Sequence, residues 1–284
     1  MEVFHGYDQA ALDAQYNARA AVPDHPAVIQ RWDTVGAGAL DRLAPQRDLA
    51  YGDGLLETVD IYPARATAAP VLIFIHGGYW QWRDKKDFVF LAEPWVAAGA
   101  LVVMANYPLA PVAAMDEIVD SCRRMVAWTA ARAAGMGGDP ARIWVAGHSA
   151  GGHLTAEMLA TDWRRFGYAR NPLAGGFALS GLYELEPIRL TYLNEVLGMD
   201  AEAAQRASPA LHPPTDAPPL LCAVGGAETA EFHRQQSALV AAWRAAGCMV
   251  ETVDAPGRNH FTILDAFADP GHPVFMALRS RLMG

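Results

Sequence analysis

The sequence predicts an α/β protein with a mostly parallel central sheet flanked by helices. From residue 57 onward, apolar runs with strand character alternate with helical segments, as they do when crossover helices join parallel strands. Residues 71–75 are apolar without interruption, which is typical of a central strand covered on both faces. Ser149, a serine between glycines, follows the apolar run at residues 143–146 and precedes a stretch with helical spacing. In such a fold, ligands are expected at the carboxyl edge of the sheet.

The first 50 residues are predicted to form a helical arm rather than part of the sheet. Helices are expected at residues 9–21 and 27–43, separated by a turn that contains Pro23 and Pro26. The arm either packs on the main domain or covers part of the active site, and the sequence leaves both interpretations open. Because neither a Gly/Ser linker nor an internal repeat interrupts the chain, residues 1–284 are assigned to a single domain.

After the arm, strands and connecting helices are expected in alternation. The strands are predicted at residues 57–62, 71–75, 100–105, 143–146, 175–179, 219–224 and 249–253. The helices between them are predicted at residues 88–98, 112–134, 150–160 and 230–246, with further helices at the C-terminal end. Residues 182–215 interrupt the alternation with four prolines and are predicted to form a cap-like insertion of short helices over the sheet edge.

The composition indicates a globular protein and excludes several classes of partner. Hydrophobic residues make up 52% of the chain, and a net charge of −9 argues against nucleic acid or an anionic membrane surface as a partner. The three cysteines are odd in number and lack metal-binding spacing, which favours a reducing cytoplasm. We expect neither a signal peptide nor a membrane-spanning segment, because the start of the chain lacks a basic and apolar leader and all apolar runs are short. The expected partner is a small molecule, and a homo-oligomer is left open.

Residues 147–151, G-H-S-A-G, have the form of a nucleophile elbow. Such a strand-to-helix turn holds its serine, here Ser149, in a strained and exposed conformation. Glycines are needed on both sides because the backbone passes so close to its neighbours that a Cβ would clash. The first amides of the new helix then point at the space above the serine. Ser149 is therefore the predicted nucleophile.

A second motif, H-G-G-Y-W at residues 76–80, directly follows the predicted strand at residues 71–75. A nucleophilic serine needs N–H donors for the oxyanion of its tetrahedral intermediate, and glycines present their amides without obstruction by a side chain. The predicted oxyanion donors are the backbone N–H groups of Gly77, Gly78 and Ala150.

The substrate pocket is expected beside these two motifs. Tyr79, Trp80 and His148 are the predicted substrate-binding residues, with the two aromatic side chains as a wall for an aryl group. Adjacent residues tend to diverge, so one member of the aromatic pair is expected to face the substrate while the other packs inward. The neighbouring Lys85-Lys86 pair is expected to be a solvated turn.

The general base and its carboxylate partner are expected on loops after the last strands. Of nine histidines, His260 has the best position, in a loop that follows the final predicted strand. Glu228 is the first acidic residue after the preceding strand, where a carboxylate that orients the histidine should stand. Asp254, at the end of the final strand, is the main alternative, and Glu231 is a further one.

Together the motifs, their order and the strand pattern resemble the α/β-hydrolase superfamily over about residues 55–284. More narrowly, H-G-G-Y-W at 76–80, G-H-S-A-G-G-H at 147–153 and A-E-F-H-R-Q at 230–235 are similar to the arylformamidase (kynurenine formamidase) group and its esterase relatives. The resemblance implies a triad of Ser149, His260 and Glu228, with Gly77, Gly78 and Ala150 as oxyanion donors. The acid of those formamidases is aspartate, whereas Glu228 is one methylene longer.

The resulting prediction is a serine hydrolase that cleaves a small ester or amide through an acyl-enzyme. An arylformamidase and a general carboxylesterase both remain open, since the sequence does not measure the room for the acyl group. A protein that kept this fold as a non-catalytic binding module is the alternative of a different class. The chain contains no phosphate-binding loop, dinucleotide fingerprint or H-E-x-x-H pair, so no cofactor and no metal are predicted.

Overall fold

A computed structural model describes residues 1–284 and shows one eight-stranded sheet. The strands are β1 (Gln46–Ala50), β2 (Thr58–Tyr62), β3 (Ala69–Ile75), β4 (Leu101–Ala105), β5 (Gly138–His148), β6 (Gly175–Leu179), β7 (Leu220–Gly225) and β8 (Val250–Ala255). Their order across the sheet is β1-β2-β4-β3-β5-β6-β7-β8. The pairs β1/β2 and β2/β4 are antiparallel, and all the other neighbours are parallel. The predicted mostly parallel α/β sheet is confirmed.

Helices precede the sheet, connect its strands and follow its last strand. They are α1 (Gln9–Tyr16), α2 (Ala18–Ala21), α3 (His25–Leu43), α4 (Ala92–Ala97), α5 (Met115–Arg132), α6 (Ala150–Ala160), α7 (Glu186–Arg189), α8 (Asn194–Leu197), α9 (Ala201–Arg206), α10 (Ala230–Ala245), α11 (Thr262–Ala268) and α12 (Pro273–Met283). Short 3₁₀ helices span Lys85–Leu91, Ala134–Met136 and Trp163–Phe166. No helix is both long enough and apolar enough to cross a membrane.

The central strand β3 is buried along its whole length because helices cover both faces of the sheet. Successive side chains of a strand point to opposite faces, so Ile73 joins one buried apolar cluster while Leu72 and Phe74 join the other. The uninterrupted apolar run predicted this arrangement. It leaves the carboxyl end of β3 fixed between its neighbours β4 and β5, where the next loop begins.

The edge strand β1 contradicts the prediction that the first 50 residues contain no sheet. Its residues, Q-R-D-L-A, lack the alternation of a half-buried strand, because all but Leu49 are exposed. Asp48 adopts a left-handed φ of 54°, and the pairing register with β2 shifts between Gln46 and Leu49. The strand is therefore defined by its pairing with β2 rather than by a pattern of its own.

The helical arm also differs in detail from its prediction. The helix expected over residues 9–21 is divided at Asn17, whose side-chain oxygen accepts a hydrogen bond from the Ala20 N–H at 3.1 Å and caps α2. The second predicted helix of the arm corresponds to α3, which begins at His25 with a proline in its first turn. At Asn17 the chain changes direction between α1 and α2.

The prediction of a solvated turn at Lys85-Lys86 is wrong for Lys85. Its side chain is 5% exposed, and its Nζ lies 2.6 Å from Asp48 Oδ1 and 3.2 Å from Asp60 Oδ1. Burial by itself would lower the pKa of Lys85, but the bonds to the two carboxylates outweigh it and raise the pKa above its ordinary value. Lys86 is exposed as expected. The two carboxylates come from β1 and β2, which are far from Lys85 in the sequence. The Lys85-Lys86 pair by itself therefore did not indicate this contact.

Between β6 and β7, the predicted insertion contains the three short helices α7, α8 and α9. Their mutual contacts include a hydrogen bond from the Leu185 N–H to Ser208 Oγ at 2.8 Å. The division of the chain into arm, main domain and cap-like insertion stays a prediction.

Candidate active site

Ser149 stands at the turn between the carboxyl end of β5 and the start of α6. Its backbone has φ 57° and ψ −117°, a conformation that residues with a Cβ rarely adopt. Such strain persists only where the surrounding structure enforces it, and it is concentrated at functional positions. The side chain of Ser149 borders a cavity.

Two glycines allow this turn by permitting close backbone contact. A Cβ on Gly147 would lie 2.1 Å from the carbonyl oxygen of Gly151, and one on Gly151 would lie 2.0 Å from the carbonyl oxygen of Ile75. Both distances are far below van der Waals contact, so neither position accepts a side chain without movement of the backbone. The glycine spacing seen in the sequence therefore has a direct steric cause.

His260 and Glu228 are joined by a hydrogen bond, with 2.7 Å between His260 Nδ1 and Glu228 Oε2. The Glu228 side chain is fully buried. Its second oxygen, Oε1, accepts hydrogen bonds from the Ser180 hydroxyl at 2.5 Å and from the Gly225 N–H at 2.7 Å. Three donors thus hold the carboxylate in one orientation against the imidazole.

The other two candidate acids lie elsewhere. Asp254 is exposed on β8. Glu231 is buried, but its Oε2 accepts the Tyr16 hydroxyl at 2.6 Å and pairs with Arg234 Nε at 2.9 Å. Of the three carboxylates considered from the sequence, Glu228 is the one that contacts His260.

Ser180 is a site residue that the sequence analysis missed. It follows the carboxyl end of β6, has a left-handed φ of 49°, and is 2% exposed. The available signal was a Ser-Gly pair directly after an apolar strand, at the sheet edge where the other site residues gather. A serine there gives no indication of its partner, because Glu228 belongs to a different loop.

Two rings pack against the imidazole of His260. The ring centroids of His148 and Phe232 lie 4.6 Å and 4.4 Å from that of His260. Burial, and then the neighbouring charge of His260, hold the pKa of His148 well below its ordinary value. His148 is therefore neutral at neutral pH and adds no competing charge beside His260.

Of the predicted oxyanion donors, Gly77 and Gly78 line the same cavity as Ser149, and Ala150 follows Ser149 in the chain. A Cβ on Gly77 would lie 3.0 Å from Ser149 Cβ, so the absence of a side chain keeps this space open. Gly78 has φ 116°, a conformation that strongly favours glycine. The N–H groups of Gly77, Gly78 and Ala150 donate no hydrogen bond to a backbone carbonyl of the chain. These amides are the kind of donors that an oxyanion requires.

A cavity of about 230 Å³ opens in front of Ser149 and His260. Side chains from the arm, the H-G-G loop, the insertion and the C-terminal segment surround it. Its aromatic lining residues are Trp32, Tyr79, Trp82, Phe88, Tyr192 and Phe261. A cavity with apolar rings and a few polar groups at one end suits a small aromatic molecule.

The arm supplies part of the cavity wall. Asn17, Ala18 and Arg19, at the break between α1 and α2, line the cavity. The carbonyl of Tyr16 accepts the Tyr79 hydroxyl at 2.6 Å, which fixes the tyrosine of the H-G-G-Y-W motif. The arm thus does more than pack on the outside of the main domain.

The three predicted substrate-binding residues do not share one position. Tyr79 and His148 line the cavity, whereas Trp80 does not. The Trp80 indole is fully buried and meets the His153 ring edge-on, with 5.1 Å between centroids. Two successive left-handed residues, with φ 50° at Tyr79 and 58° at Trp80, send the neighbouring side chains apart. Trp82 lines the cavity in its place.

No group of three or more His, Cys, Asp or Glu side chains is arranged to hold a metal ion.

A family model described as the alpha/beta hydrolase fold matches residues 72–264. A kynurenine formamidase from Danio rerio is 34% identical over 232 residues, which cover 79% of this chain and 78% of that protein. Carboxylesterase NlhH from Mycobacterium tuberculosis is 40% identical over 124 residues, covering 41% of this chain and 38% of that protein. A candidate thioesterase from a Silicibacter species has a TM-score of 0.82 at 29% identity, covering 96% of this chain and 99% of that one.

Proposed function

The chain is an enzyme of the α/β-hydrolase family, and we propose that it is a serine hydrolase that cleaves a small aryl amide or ester. The observation that carries this proposal is the 2.7 Å hydrogen bond between buried Glu228 and His260, at a cavity that Ser149 also lines. A strained serine, an oriented imidazole and a buried carboxylate form the constellation of nucleophilic acyl transfer.

In the proposed reaction, Ser149 Oγ attacks the substrate carbonyl while His260 Nε2 takes the hydroxyl proton. Glu228 holds the His260 Nδ1 proton and balances the charge of the imidazolium that forms. The N–H groups of Gly77, Gly78 and Ala150 stabilise the oxyanion of the tetrahedral intermediate.

The imidazolium of His260 then gives its proton to the leaving amine or alcohol, and the carbonyl–heteroatom bond breaks to leave an ester on Ser149. Water, deprotonated by the same imidazole, attacks this ester. The acyl group leaves as a carboxylic acid and the serine hydroxyl is restored.

An arylformamide is the substrate class that the cavity supports best. A formyl group needs little acyl space, and the aromatic lining of a cavity of about 230 Å³ suits a flat leaving group. The similarity to kynurenine formamidase from Danio rerio over most of the chain supports the same class. A carboxylesterase is the second candidate, favoured by the similarity to NlhH over 124 residues.

The proposal is tested by the kinetics of N-formylkynurenine beside those of short and medium aryl esters. We expect kcat/KM to be highest for the formamide and to fall as the acyl chain lengthens, because an aryl leaving group already takes up much of a cavity of about 230 Å³. A preference for medium-length acyl chains would instead favour the carboxylesterase.

Ser149→Ala is the control for the mechanism. We expect it to lower turnover of every substrate by several orders of magnitude. Its unfolding temperature should stay close to that of the unchanged protein, since the hydroxyl contributes little packing. A folded Ser149→Ala protein with substantial activity would exclude Ser149 as the nucleophile.

A further inference from the structure

The active-site cavity is positively charged in a protein whose net charge is −9. Two arginines, Arg19 and Arg83, are among its lining residues, and no aspartate or glutamate is. Glu228 lies behind His260 and does not reach the cavity surface. The proposed hydrolysis of a neutral amide or ester needs neither guanidinium, so their position calls for another explanation.

The backbone directs the Arg83 side chain to the cavity. Arg83 has a left-handed φ of 82°, a costly conformation for a residue with a Cβ. The missing side chain of Gly78 makes room for it, because a Cβ on Gly78 would lie 2.9 Å from Arg83 Cγ. The Arg83 charge also contributes, after burial and His260, to the low pKa of His148. Arg83 lines the same cavity as His148 and His260.

Arg83 retains free hydrogen-bonding capacity. Its one carboxylate neighbour, Asp87, is 3.6 Å from the guanidinium, beyond normal hydrogen-bond distance. Asp87 Oδ2 in turn accepts the Asp84 N–H at 3.3 Å. A guanidinium carries five N–H donors, so an ion pair on one side orients Arg83 and leaves other donors available.

Arg19 brings a second guanidinium to the same cavity from the arm. It lies over the Trp82 ring, 5.2 Å from the centroid, and makes no ion pair with a carboxylate within 4 Å. Trp82 is the sequence neighbour of Arg83 and also lines the cavity. The stacking contact thus holds Arg19 beside the loop that carries Arg83.

We propose that Arg83, assisted by Arg19, forms a carboxylate-binding subsite, so that the enzyme prefers aryl substrates that bear a carboxylate away from the scissile bond. A planar guanidinium fork matches the geometry of a carboxylate. The aromatic walls accept a substrate ring in more than one orientation. Binding of the carboxylate by the subsite selects one of these orientations. This inference rests on the proposed hydrolase function and adds a specificity element to it.

The first test compares phenyl acetate with 3-carboxyphenyl acetate, two substrates that differ in one carboxylate. The measured quantity is the ratio of their kcat/KM values in the unchanged protein and in Arg83→Gln, Arg19→Gln and Arg170→Gln. Glutamine removes the charge without adding strain at the left-handed position. Arg170 is the matched control because it is exposed in the segment before β6, at the opposite edge of the sheet.

We expect Arg83→Gln to lower the ratio by about tenfold or more, the effect of losing a hydrogen bond to a charged group. Arg19→Gln should lower it less, and Arg170→Gln should leave it unchanged. If Arg83→Gln does not fold, Arg83→Lys replaces it. Lysine keeps the positive charge but lacks the guanidinium fork, so this variant should retain part of the preference for the carboxylated substrate. A ratio that is the same in the Arg83, Arg19 and Arg170 variants overturns the proposal.

A binding experiment separates this subsite from the proposed reaction. Calorimetric titration of the Ser149→Ala protein with benzoate and with benzamide measures recognition of the carboxylate without catalysis. We expect benzoate to bind more tightly, with a preference that is lost in the Ser149→Ala, Arg83→Gln double variant and weakened by salt. Equal binding of the two ligands, or no binding of benzoate, overturns the subsite. A benzoate preference in a protein that hydrolyses neither ester would overturn the proposed function alone.

Discussion

At the scale of single residues, hydrogen bonds rather than side-chain length define the position of Glu228, the proposed triad acid. Glu228 is one methylene longer than the aspartate of the formamidases that the motifs resemble. Its Oε1 accepts the Ser180 hydroxyl and the Gly225 N–H, while Oε2 contacts His260. The two additional donors anchor the longer side chain in one orientation. A glutamate can therefore present one oxygen to the imidazole as an aspartate would.

The first residue-scale prediction tests this carboxylate. Glu228→Gln should lower kcat by about 10²- to 10⁴-fold, because the amide disfavours the active tautomer of His260 and does not balance the imidazolium. Asp254→Asn, a matched change of an exposed acid on the neighbouring strand, should have little effect. The measurements are steady-state rates and thermal unfolding of both variants. The reverse ranking would assign the role to Asp254.

The second residue-scale prediction concerns Ser180 as a positioning residue. Ser180→Ala removes one of the donors to Glu228 and should lower kcat by about tenfold, with little change in KM, since one hydrogen bond to a charged group is lost. The control is Ser237→Ala, an exposed serine on α10. Equal rates in the two variants would show that the Gly225 N–H is enough to hold the carboxylate.

At the scale of elements, the site depends on how closely α6 approaches β3. The first turn of the helix contacts the carboxyl end of the strand, and Gly151 is the point of contact with the Ile75 carbonyl. This contact sets the direction of the helix, and therefore the direction of the Ala150 N–H, relative to the H-G-G loop. A side chain there would force the two elements apart.

The prediction for this element is that Gly151→Ala destabilises the protein. Its Cβ would lie 2.0 Å from the Ile75 carbonyl oxygen, and overpacking of this kind costs about 1–3 kcal/mol or more. Gly135→Ala is the matched control, because a Cβ at that exposed position meets nothing within 4 Å. Denaturant unfolding of the two variants measures the difference. Equal free energies of unfolding would mean that the elbow can relax without cost.

The arm is the second element that shapes the site. The Thr229 hydroxyl donates to the Gln15 carbonyl at 2.6 Å, and the Tyr16 hydroxyl donates to Glu231. Both contacts join the arm to the segment that follows Glu228. The end of α1 is thus bonded to the segment after Glu228 and to Tyr79 of the H-G-G-Y-W motif. Displacement of the arm would disturb the acid loop and the cavity wall together.

At the scale of the whole molecule, the parallel sheet collects the site from distant parts of the chain. The carboxyl ends of β3, β5, β6 and β7 are followed by Gly77, Ser149, Ser180 and Glu228, and the loop after β8 carries His260. Parallel strands place these ends on one edge of the sheet, so residues more than a hundred positions apart become neighbours. The sheet itself takes no part in the chemistry.

The whole-molecule prediction concerns the ion pairs that join strands β1 and β2 to the 3₁₀ helix after β3. Lys85→Met leaves the buried Asp60 with the partly exposed Arg47, 3.7 Å away, as its remaining cation. Removing one partner of a buried pair costs about 3–5 kcal/mol, so the variant should unfold at a much lower temperature. Lys86→Met, which removes an exposed lysine, should change the unfolding temperature little. Similar temperatures for both variants would contradict a stabilising role of the buried ion pairs.

Features that depend on local geometry could be predicted from the sequence. Apolar runs of strand length located β3, β4 and β6 almost to the residue, since alternation and burial leave a pattern within a few positions. The glycines at 147 and 151 indicated the elbow because a tight strand-to-helix turn excludes Cβ atoms. The order of Ser149, Glu228 and His260 along the chain placed each of them after a strand of a parallel sheet.

Contacts between side chains from distant segments are visible only in the folded chain. The ion pair of Lys85, the edge strand β1, the inward position of Trp80 and the hydrogen bond from Ser180 to Glu228 left no signal in their local sequences. Each depends on a partner from a distant segment, and burial or pairing is a property of both partners together. Local steric rules act within a few residues of the chain, whereas these contacts exist only once the sheet has brought its strands side by side.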